Sequence, residues 1–214
     1  MTSPRLSLSL TVLGLAMLAA RVVLTRSLDM TFLSWNVGLA WLAFGLVRLS
    51  VHLTRERALA ALLAVPLAWL FFPNTIYLVS DLAHANYGRG PMRWCDTAMV
   101  GTFGLAGAAL AITCLEEVRE ALRARVGPPA SWLVCAGVWL SAGAGVWLGR
   151  ARRWNSWDAI LDPLGVITDA LGHFAQPRVH PATWATTLVY AGILAALQIG
   201  AAKERSSVAP RAAA

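Results

Sequence analysis

Charged residues and cysteines are both scarce in this chain. Only 14% of its 214 residues are charged, whereas a soluble domain averages about 25%, and hydrophobic residues make up 57%. The three cysteines are dispersed without a CxxC pair, so neither a disulfide framework nor a zinc site is indicated. This composition excludes intrinsic disorder, a secreted disulfide scaffold and an ordinary cytosolic enzyme. It is typical of a protein embedded in lipid.

The chain contains long apolar runs without any charged residue. Five windows of 18 to 24 residues contain no Asp, Glu, Lys or Arg, and a membrane-spanning helix needs about 17–25 mostly apolar residues. A sixth window follows Arg5 and spans if Arg21 extends its head group to the membrane interface. A cleaved signal peptide is the alternative for this segment, but Leu18 occupies a position where cleavage requires a small residue. The runs are continuous, unlike the alternating strands of a membrane barrel.

We therefore predict an all-α fold, a polytopic membrane helix bundle. A single transmembrane domain covers residues 1–203 and a disordered polar tail covers residues 204–214. The six predicted spans are residues 5–26, 32–53, 58–80, 97–117, 130–150 and 182–202. Before the last of them, residues 158–174 have apolar side chains at helical spacing but too many charges to span, which predicts an interfacial or re-entrant helix.

The formal net charge is +7, and the basic residues lie between the apolar runs. Membrane topology explains basic residues in such positions, so the charge does not indicate a nucleic-acid partner. With the N-terminus inside, ten Lys and Arg residues fall on the cytoplasmic side and eight on the other. This bias predicts that both termini are cytoplasmic, with membrane lipids as the surrounding partners. Most tryptophans fall near predicted helix ends, as in an interfacial aromatic belt. These are Trp35, Trp69, Trp94, Trp154, Trp157 and Trp184.

Small residues recur every four positions in the fifth predicted span, at Gly137, Ser141, Gly145 and Gly149. A small-xxx-small stripe lets two helix backbones approach closely. An oligomer interface is one use of such a stripe. With six helices to pack in one chain, we favour internal packing.

An acidic segment follows the fourth predicted span. Glu116 and Glu120 are each three residues from an arginine, Arg119 and Arg123 respectively. Such pairs stabilise the exposed face of a helix. We therefore predict a solvated helix end on the membrane side opposite to the polar motifs described next.

The first polar motif ends the third predicted span. Asn74, Tyr77, Asp81 and His84 are spaced three, four and three residues apart and so share one face of a helix, within an arc of about 80°. Pro73 has no amide proton and is expected to kink the helix just before this face. Solvated residues at a helix end are the alternative. Asn74 and Tyr77 lie inside the apolar window, however, where unsatisfied polar groups are costly, so we favour a functional face.

The second polar motif follows the fifth span. Arg150, Arg153, Trp154 and Trp157 are at helical spacing, with Asn155 and Asp158 interleaved. Arginine is suited to bidentate binding of phosphate or carboxylate, although a salt-bridge network that holds the bundle together is also open. Connections after odd-numbered helices all fall on one membrane side. Both motifs therefore converge there with Asn36 and Asp96, and we expect Arg150 to pair with Asp81 or Asp158.

These motifs resemble a known family. Phe-Pro-Asn-x-x-Tyr from Phe72, Trp-x-Asp from Trp94, and Gly-Arg-x-x-Arg-Trp-Asn-Ser-Trp-Asp from Gly149 are similar to the bacterial integral membrane family catalogued as domain of unknown function 1361. The resemblance covers roughly residues 30–175. It implies a multi-pass protein of the bacterial plasma membrane and supplies no established activity.

Two function classes remain open. In the first, the protein binds or transports an anionic or lipid-linked ligand that Arg150 and Arg153 grip. The remaining ligand contacts are then expected from Asn36, Asn74, Tyr77, Asp96 and Asn155.

In the second class, a membrane enzyme acts on a lipid-linked substrate. His84 is the general acid or base, Asp81 orients it, and Asp158 or Asp96 assists. Arg150 would stabilise developing charge. No HxxxH or HExxH spacing supports a metal site, and no cofactor is expected. Both classes require one contiguous polar cluster at one end of the bundle.

Overall fold

The structure is a computed structural model that describes residues 4–84 and 92–208. Within these ranges it is helical and has no strand, which confirms the predicted all-α bundle. The helices are α1 (Pro4–Thr25), α2 (Phe32–Arg55), α3 (Ala61–Phe71), α4 (Pro73–Ser80), α5 (Met92–Trp147), α6 (Asp158–Leu161), α7 (Pro163–Phe174) and α8 (Pro181–Val208).

Helix α5 is a hairpin of two antiparallel arms, residues 92–126 and 128–147. Gly127 has a φ of 81° and two prolines follow it, so the helix cannot continue through this point. The Gln198 amide of α8 lies 3.3 Å from the Leu115 carbonyl oxygen and 3.5 Å from Cys135 Sγ. On one straight helix, these two groups would be about 30 Å apart.

The hairpin explains why the structure has five long apolar segments whereas the sequence predicts six spans. Five helical segments are long and apolar enough to cross a membrane, and one of them is the 61-residue segment Met92–Arg152. At 1.5 Å per residue that segment measures about 90 Å, whereas a bilayer core is about 30 Å thick. The two arms of α5 therefore correspond to the fourth and fifth predicted spans.

The α5 hairpin is the centre of the bundle and packs against α1, α2, α4 and α8. Its glycines allow two close approaches: a Cβ on Gly107 would overlap the Thr75 carbonyl oxygen of α4, and one on Gly143 would overlap the Thr187 carbonyl oxygen of α8. The predicted small-residue stripe packs internally in part, because a Cβ on Gly145 would lie 2.7 Å from the Pro73 ring.

The third predicted span is divided at Pro73 into α3 and α4. Proline lacks the amide hydrogen that would continue the helical ladder, and its ring crowds the preceding turn. Helix α4 lies along α5, whereas α3 packs mainly against α2. Both halves of this span contact α2, and the α4 half packs more closely on α5.

The predicted interfacial or re-entrant helix at residues 158–174 is present as two helices, α6 and α7. The break is at Asp162, whose carboxylate accepts a hydrogen bond of 2.9 Å from the Gly165 amide and caps α7, with Pro163 at the first helical position. Residues 204–208 of the predicted disordered tail are helical, as the continuation of α8; residues 209–214 lie outside the described residues.

The prediction of a solvated acidic helix end holds for Glu120 and Arg123, which are exposed, and is wrong for Glu116. Glu116 is only 1% exposed and pairs with Arg119 at 2.9 Å. Gln198 of α8 donates a hydrogen bond of 3.1 Å to Glu116, and Arg205 lies 3.6 Å from it. Helix α8 covers this carboxylate, so the group that we expected in water is part of the packed bundle.

Candidate functional site

A small polar pocket lies at the end of the bundle where α4 and the second arm of α5 terminate. Its volume is about 140 Å³. We call it the polar pocket, and its hydrogen-bonding and aromatic lining consists of Asn36, Asn74, Tyr77, Asn155 and Ser156 with Trp35, Trp154 and Trp157. Four of the predicted ligand residues, Asn36, Asn74, Tyr77 and Asn155, are therefore brought to one cavity.

Asn74 ties the start of α4 to the segment after α5. Its amide nitrogen donates hydrogen bonds to the Phe71 carbonyl oxygen at 2.8 Å and to Ser156 Oγ at 2.9 Å. The Pro73 break places Asn74 in the first turn of α4, where the chain leaves the line of α3. Asn74 thus fixes one wall of the polar pocket.

A buried ion pair between Asp81 and Arg150 supports the opposite wall. Asp81 is 0% exposed; one of its carboxylate oxygens binds Arg150 Nη2, and the other accepts a hydrogen bond of 2.9 Å from the Asn36 amide. Arg150 Nε also donates to Ser80 Oγ at 2.7 Å. The Arg150 guanidinium carbon lies 4.1 Å from the centre of the Tyr77 ring, a cation–π contact. Of the two predicted partners of Arg150, the structure selects Asp81.

The second polar motif does not form the predicted helical face. A π turn covers Leu148–Arg152, and Arg153 adopts a left-handed conformation with φ of 61° that ends the helix. Arg150 is in the turn, whereas Trp154 and Trp157 belong to the segment that folds back. Arg153 is exposed.

Asp158 stabilises the segment that folds back after the π turn. Its carboxylate accepts hydrogen bonds from the backbone amide of Asn155 at 2.7 Å and from the Asn155 side chain at 3.1 Å. These contacts set the path of the chain between Asn155 and α6. The structure therefore gives Asp158 a local partner, and the alternative pairing with Arg150 is not formed.

His84 and Asp81 are neighbours without a hydrogen bond between them. The last turn of the span, Asp81–His84, is a 3₁₀ helix, and His84 Nδ1 lies 3.9 Å from the nearest Asp81 oxygen. The imidazole ring packs 5.1 Å from the Phe32 ring. Asp81 therefore binds Arg150 and Asn36 directly, whereas it does not hydrogen-bond to His84.

Asp96 belongs to a separate ion pair. It is 1% exposed and accepts a hydrogen bond of 2.8 Å from Arg21 Nε of α1. Arg21 is also buried, so its guanidinium pairs with Asp96 inside the protein instead of extending into solvent. The predicted single cluster is thus divided: Asp96 joins α1 to α5, and Asp81 joins α2, α4 and the end of α5.

Comparison with known protein families matches residues 35–197 to the family described as Protein of unknown function (DUF1361). The chain belongs to this DUF1361 family. The match covers most of the chain and includes every residue of the polar pocket together with Asp81 and Arg150. No curated protein and no solved structure matches this DUF1361 chain.

Sequence reasoning missed a further ionic group in this DUF1361 protein. Asp169 of α7 accepts hydrogen bonds from Arg152 at 2.8 Å and from the Trp154 indole at 2.7 Å, and His173 lies 3.4 Å from it. The hydrogen bond from Arg152 holds the pKa of the Asp169 carboxyl below its usual value. Asp169 lies on the polar side of the amphipathic 158–174 pattern, which is the one signal that could have found it.

The chemistry that the polar pocket offers is hydrogen bonding and aromatic contact. Three amides and two hydroxyls supply donors and acceptors, and the rings of Trp35 and Trp157 meet edge to face at 6.1 Å. In residues 4–84 and 92–208, no three His, Cys, Asp or Glu side chains are grouped closely enough to hold a metal ion.

Proposed function

We propose that this protein binds the polar head group of a lipid-linked ligand in the polar pocket. The observation that carries the proposal is a small cavity with an amide, hydroxyl and aromatic lining at one end of an apolar helix bundle. Sites that enclose a drug-sized molecule measure about 300–1,000 Å³. A cavity of about 140 Å³ accepts only a head group, and the remainder of the ligand would lie against the apolar helices outside.

The contacts suggest different roles for the two arginines that we predicted as ligand residues. Arg150 is already bound to Asp81, Ser80 and the Tyr77 ring, so it positions the wall of the polar pocket. Arg153 is exposed and directly precedes Trp154, the first of four consecutive residues that line the cavity. We assign the binding of a phosphate or carboxylate on the ligand to Arg153, since a guanidinium binds both bidentately.

The enzyme alternative has less support. Both carboxylate oxygens of Asp81 are already bound, one by Arg150 and one by Asn36, and His84 is 3.9 Å from the nearer oxygen. An N–H···O hydrogen bond that orients an imidazole is about 2.7–3.2 Å long. His84 also does not line the polar pocket.

We further propose that the protein is a multi-pass protein of a bacterial plasma membrane with both termini in the cytoplasm. The apolar helices and the Lys and Arg counts of the connecting segments support this orientation. The polar pocket would then face the outer side of that membrane.

Head-group binding is tested with farnesyl phosphate, and with farnesol as the matched probe that lacks the phosphate. The protein is reconstituted in phosphatidylcholine nanodiscs, and quenching of tryptophan fluorescence reports binding. Arg153→Gln is expected to weaken farnesyl phosphate binding about tenfold or more, as loss of a charge-assisted hydrogen bond implies, and to leave farnesol binding unchanged.

Arg178→Gln is the matched control, because Arg178 is also exposed and lies between α7 and α8, away from the pocket lining. Trp157→Leu is expected to weaken both probes, since it removes an aromatic wall. Equal effects of the Arg153 and Arg178 substitutions, or failure of the wild-type protein to bind farnesyl phosphate, would contradict the proposal.

A further inference from the structure

A second and larger cavity lies near the opposite end of the bundle. Its volume is about 650 Å³, and it is bounded by α2, α3 and both arms of α5. We call it the apolar groove. Aliphatic and aromatic side chains form nearly all of its lining, from Thr54 and Leu122 at one end to Phe72 and Ser141 at the other. It shares no residue with the polar pocket.

The Pro73 break creates this groove. Helix α4 packs on the second arm of α5, where Gly145 meets the Pro73 ring, but α3 diverges from that arm toward α2. Gly137 lies two helical turns earlier on the same stripe, and a Cβ there would have no neighbour within 4 Å. Between these two glycines, the Trp69 indole of α3 donates a hydrogen bond of 2.9 Å to Ser141 Oγ. The stripe of small residues is therefore covered at Gly145 and Ser141 and open at Gly137.

Arginines collect where the groove reaches the end of the bundle. Arg125 Nη2 donates a hydrogen bond to the Thr54 carbonyl oxygen, and Thr54 lines the groove. Arg55, Arg57 and Arg123 are exposed and flank the lining residues Thr54 and Leu122 within three positions.

The acidic residues nearby have partners of their own. Glu56 lies 3.3 Å from His52, and Glu117 lies 3.6 Å from Arg48. The groove is therefore apolar inside and positively charged at the end where it opens. That combination matches a ligand with an apolar tail and an anionic head.

The shape and chemistry of the groove suit an acyl chain. Lining residues extend over eight to nine positions on α2 and on each arm of α5, which is about 12–14 Å at 1.5 Å per residue. An extended acyl chain is narrow enough to lie along this length, and its methylene groups match the apolar lining.

We propose that the apolar groove binds one acyl chain of an anionic glycerophospholipid, with the lipid phosphate held by Arg125. The chain lies along Gly137, where the missing side chain leaves room. The phosphate meets the Arg125 guanidinium at the rim, with Arg57 and Arg123 adding positive charge. This site is independent of the proposed head-group site, because the two lie at opposite ends of the bundle.

The test measures lipid retention by native mass spectrometry after reconstitution with equal amounts of phosphatidylglycerol and phosphatidylcholine. We expect the wild-type protein to retain phosphatidylglycerol preferentially. Arg125→Gln is expected to lower that preference about fivefold, the contribution of one basic residue near anionic lipid. Arg178→Gln, at the other end of the bundle, is expected to leave it unchanged.

Gly137→Leu places a side chain inside the groove and is expected to abolish retention of both lipids. Gly192→Leu is the matched control, since a Cβ on Gly192 of α8 also has nothing within 4 Å and Gly192 is outside the groove. Val134→Phe, at a half-exposed groove position, repeats the test if Gly137→Leu fails to fold by circular dichroism.

Equal retention of phosphatidylglycerol by the Gly137 and Gly192 variants would overturn the proposal, as would a wild-type protein without preference for the anionic lipid. Farnesyl phosphate binding by the Gly137→Leu protein separates the two proposals. It should remain at the wild-type level whether or not the groove holds lipid.

Discussion

Asp81 is a buried carboxylate with a bound partner on each of its two oxygens. It is 0% exposed and is bound by Arg150 and by the Asn36 amide. An unpaired charge in such a place costs several kcal/mol, whereas a paired one is close to neutral relative to apolar residues of similar size. The pair therefore specifies how α2, α4 and the end of α5 meet more than it adds net stability.

Removal of one partner of this pair is expected to be costly. Arg150→Met leaves Asp81 buried without its cation, and we expect a loss of about 3–5 kcal/mol of unfolding free energy. Arg153→Met, at an exposed arginine three residues further, should change stability by less than about 0.5 kcal/mol. Unfolding of the purified protein in detergent, followed by circular dichroism, measures both changes.

Removal of both partners is expected to restore much of the lost stability. The double variant Arg150→Met, Asp81→Leu leaves no buried charge behind, only an Asn36 amide that has lost its acceptor. A double variant as unstable as Arg150→Met alone would show that packing of the arginine stem, not the charge, dominates at this position.

At the scale of elements, close backbone approach holds α4 against the first arm of α5. A Cβ on Gly107 would overlap the Thr75 carbonyl oxygen, which belongs to the backbone and cannot move independently of α4. We expect Gly107→Ala to destabilise the protein by about 1–3 kcal/mol.

Gly101→Ala is the matched control on the same arm, because a Cβ on Gly101 meets nothing within 4 Å. It should be neutral or slightly stabilising, since alanine has the higher helix propensity. The midpoint of thermal unfolding distinguishes the two variants, and equal midpoints would mean that α4 can shift away from α5 at little cost.

The attachment of α7 is expected to depend on pH. The pKa of Asp169 is lowered by its hydrogen bond from Arg152, so its stabilising contribution is present above the unfolded pKa of about 4. That contribution is lost as the pH falls through the lower folded value. A spin label on Gly172→Cys, in a Cys95→Ser background, should become more mobile below about pH 4.

Asp169→Asn provides the comparison for this titration. Its label should be mobile throughout the pH range, because the charge that binds Arg152 is absent at every pH. A pH-dependent step of the same size in the Asp169→Asn protein would assign the transition to another group.

The whole molecule offers one reactive cysteine for determining its orientation. Cys95 is exposed, whereas Cys114 and Cys135 are buried. With both termini in the cytoplasm, Cys95 lies outside, and an impermeant maleimide should label it in intact cells. Arg57→Cys in a Cys95→Ser background, at the opposite end of the bundle, should be labelled only after lysis. The reverse pattern would invert the orientation.

The sequence predicted the fold through local patterns and failed where partners are distant. Charge-free windows gave the spans, and the spacing of Asn74, Tyr77 and Asp81 gave one wall of the site. Arg21 pairs with Asp96, 75 residues away, and no local pattern indicates that contact.

Two further sequence predictions, those for Glu116 and Arg153, failed for physical reasons that no charge spacing indicates. The burial of Glu116 depends on Gln198 of α8, 82 residues further along the chain. The helical face assigned to Arg153 is lost because a π turn ends the helix just before it. Charge spacing identifies helices, but it does not identify which charges the finished bundle encloses.

Gln198 has a consequence for the order in which the chain is made. A ribosome synthesises the α5 hairpin before α8, so Glu116 and Cys135 are made before the amide that bridges them exists. Before α8 is in place, the Gln198 amide does not join the two arms of α5, and Glu116 is paired with Arg119 alone. The packing around Glu116 is therefore completed only when α8 docks on the α5 hairpin, and a nascent chain truncated before Gln198 would leave a buried charge half covered.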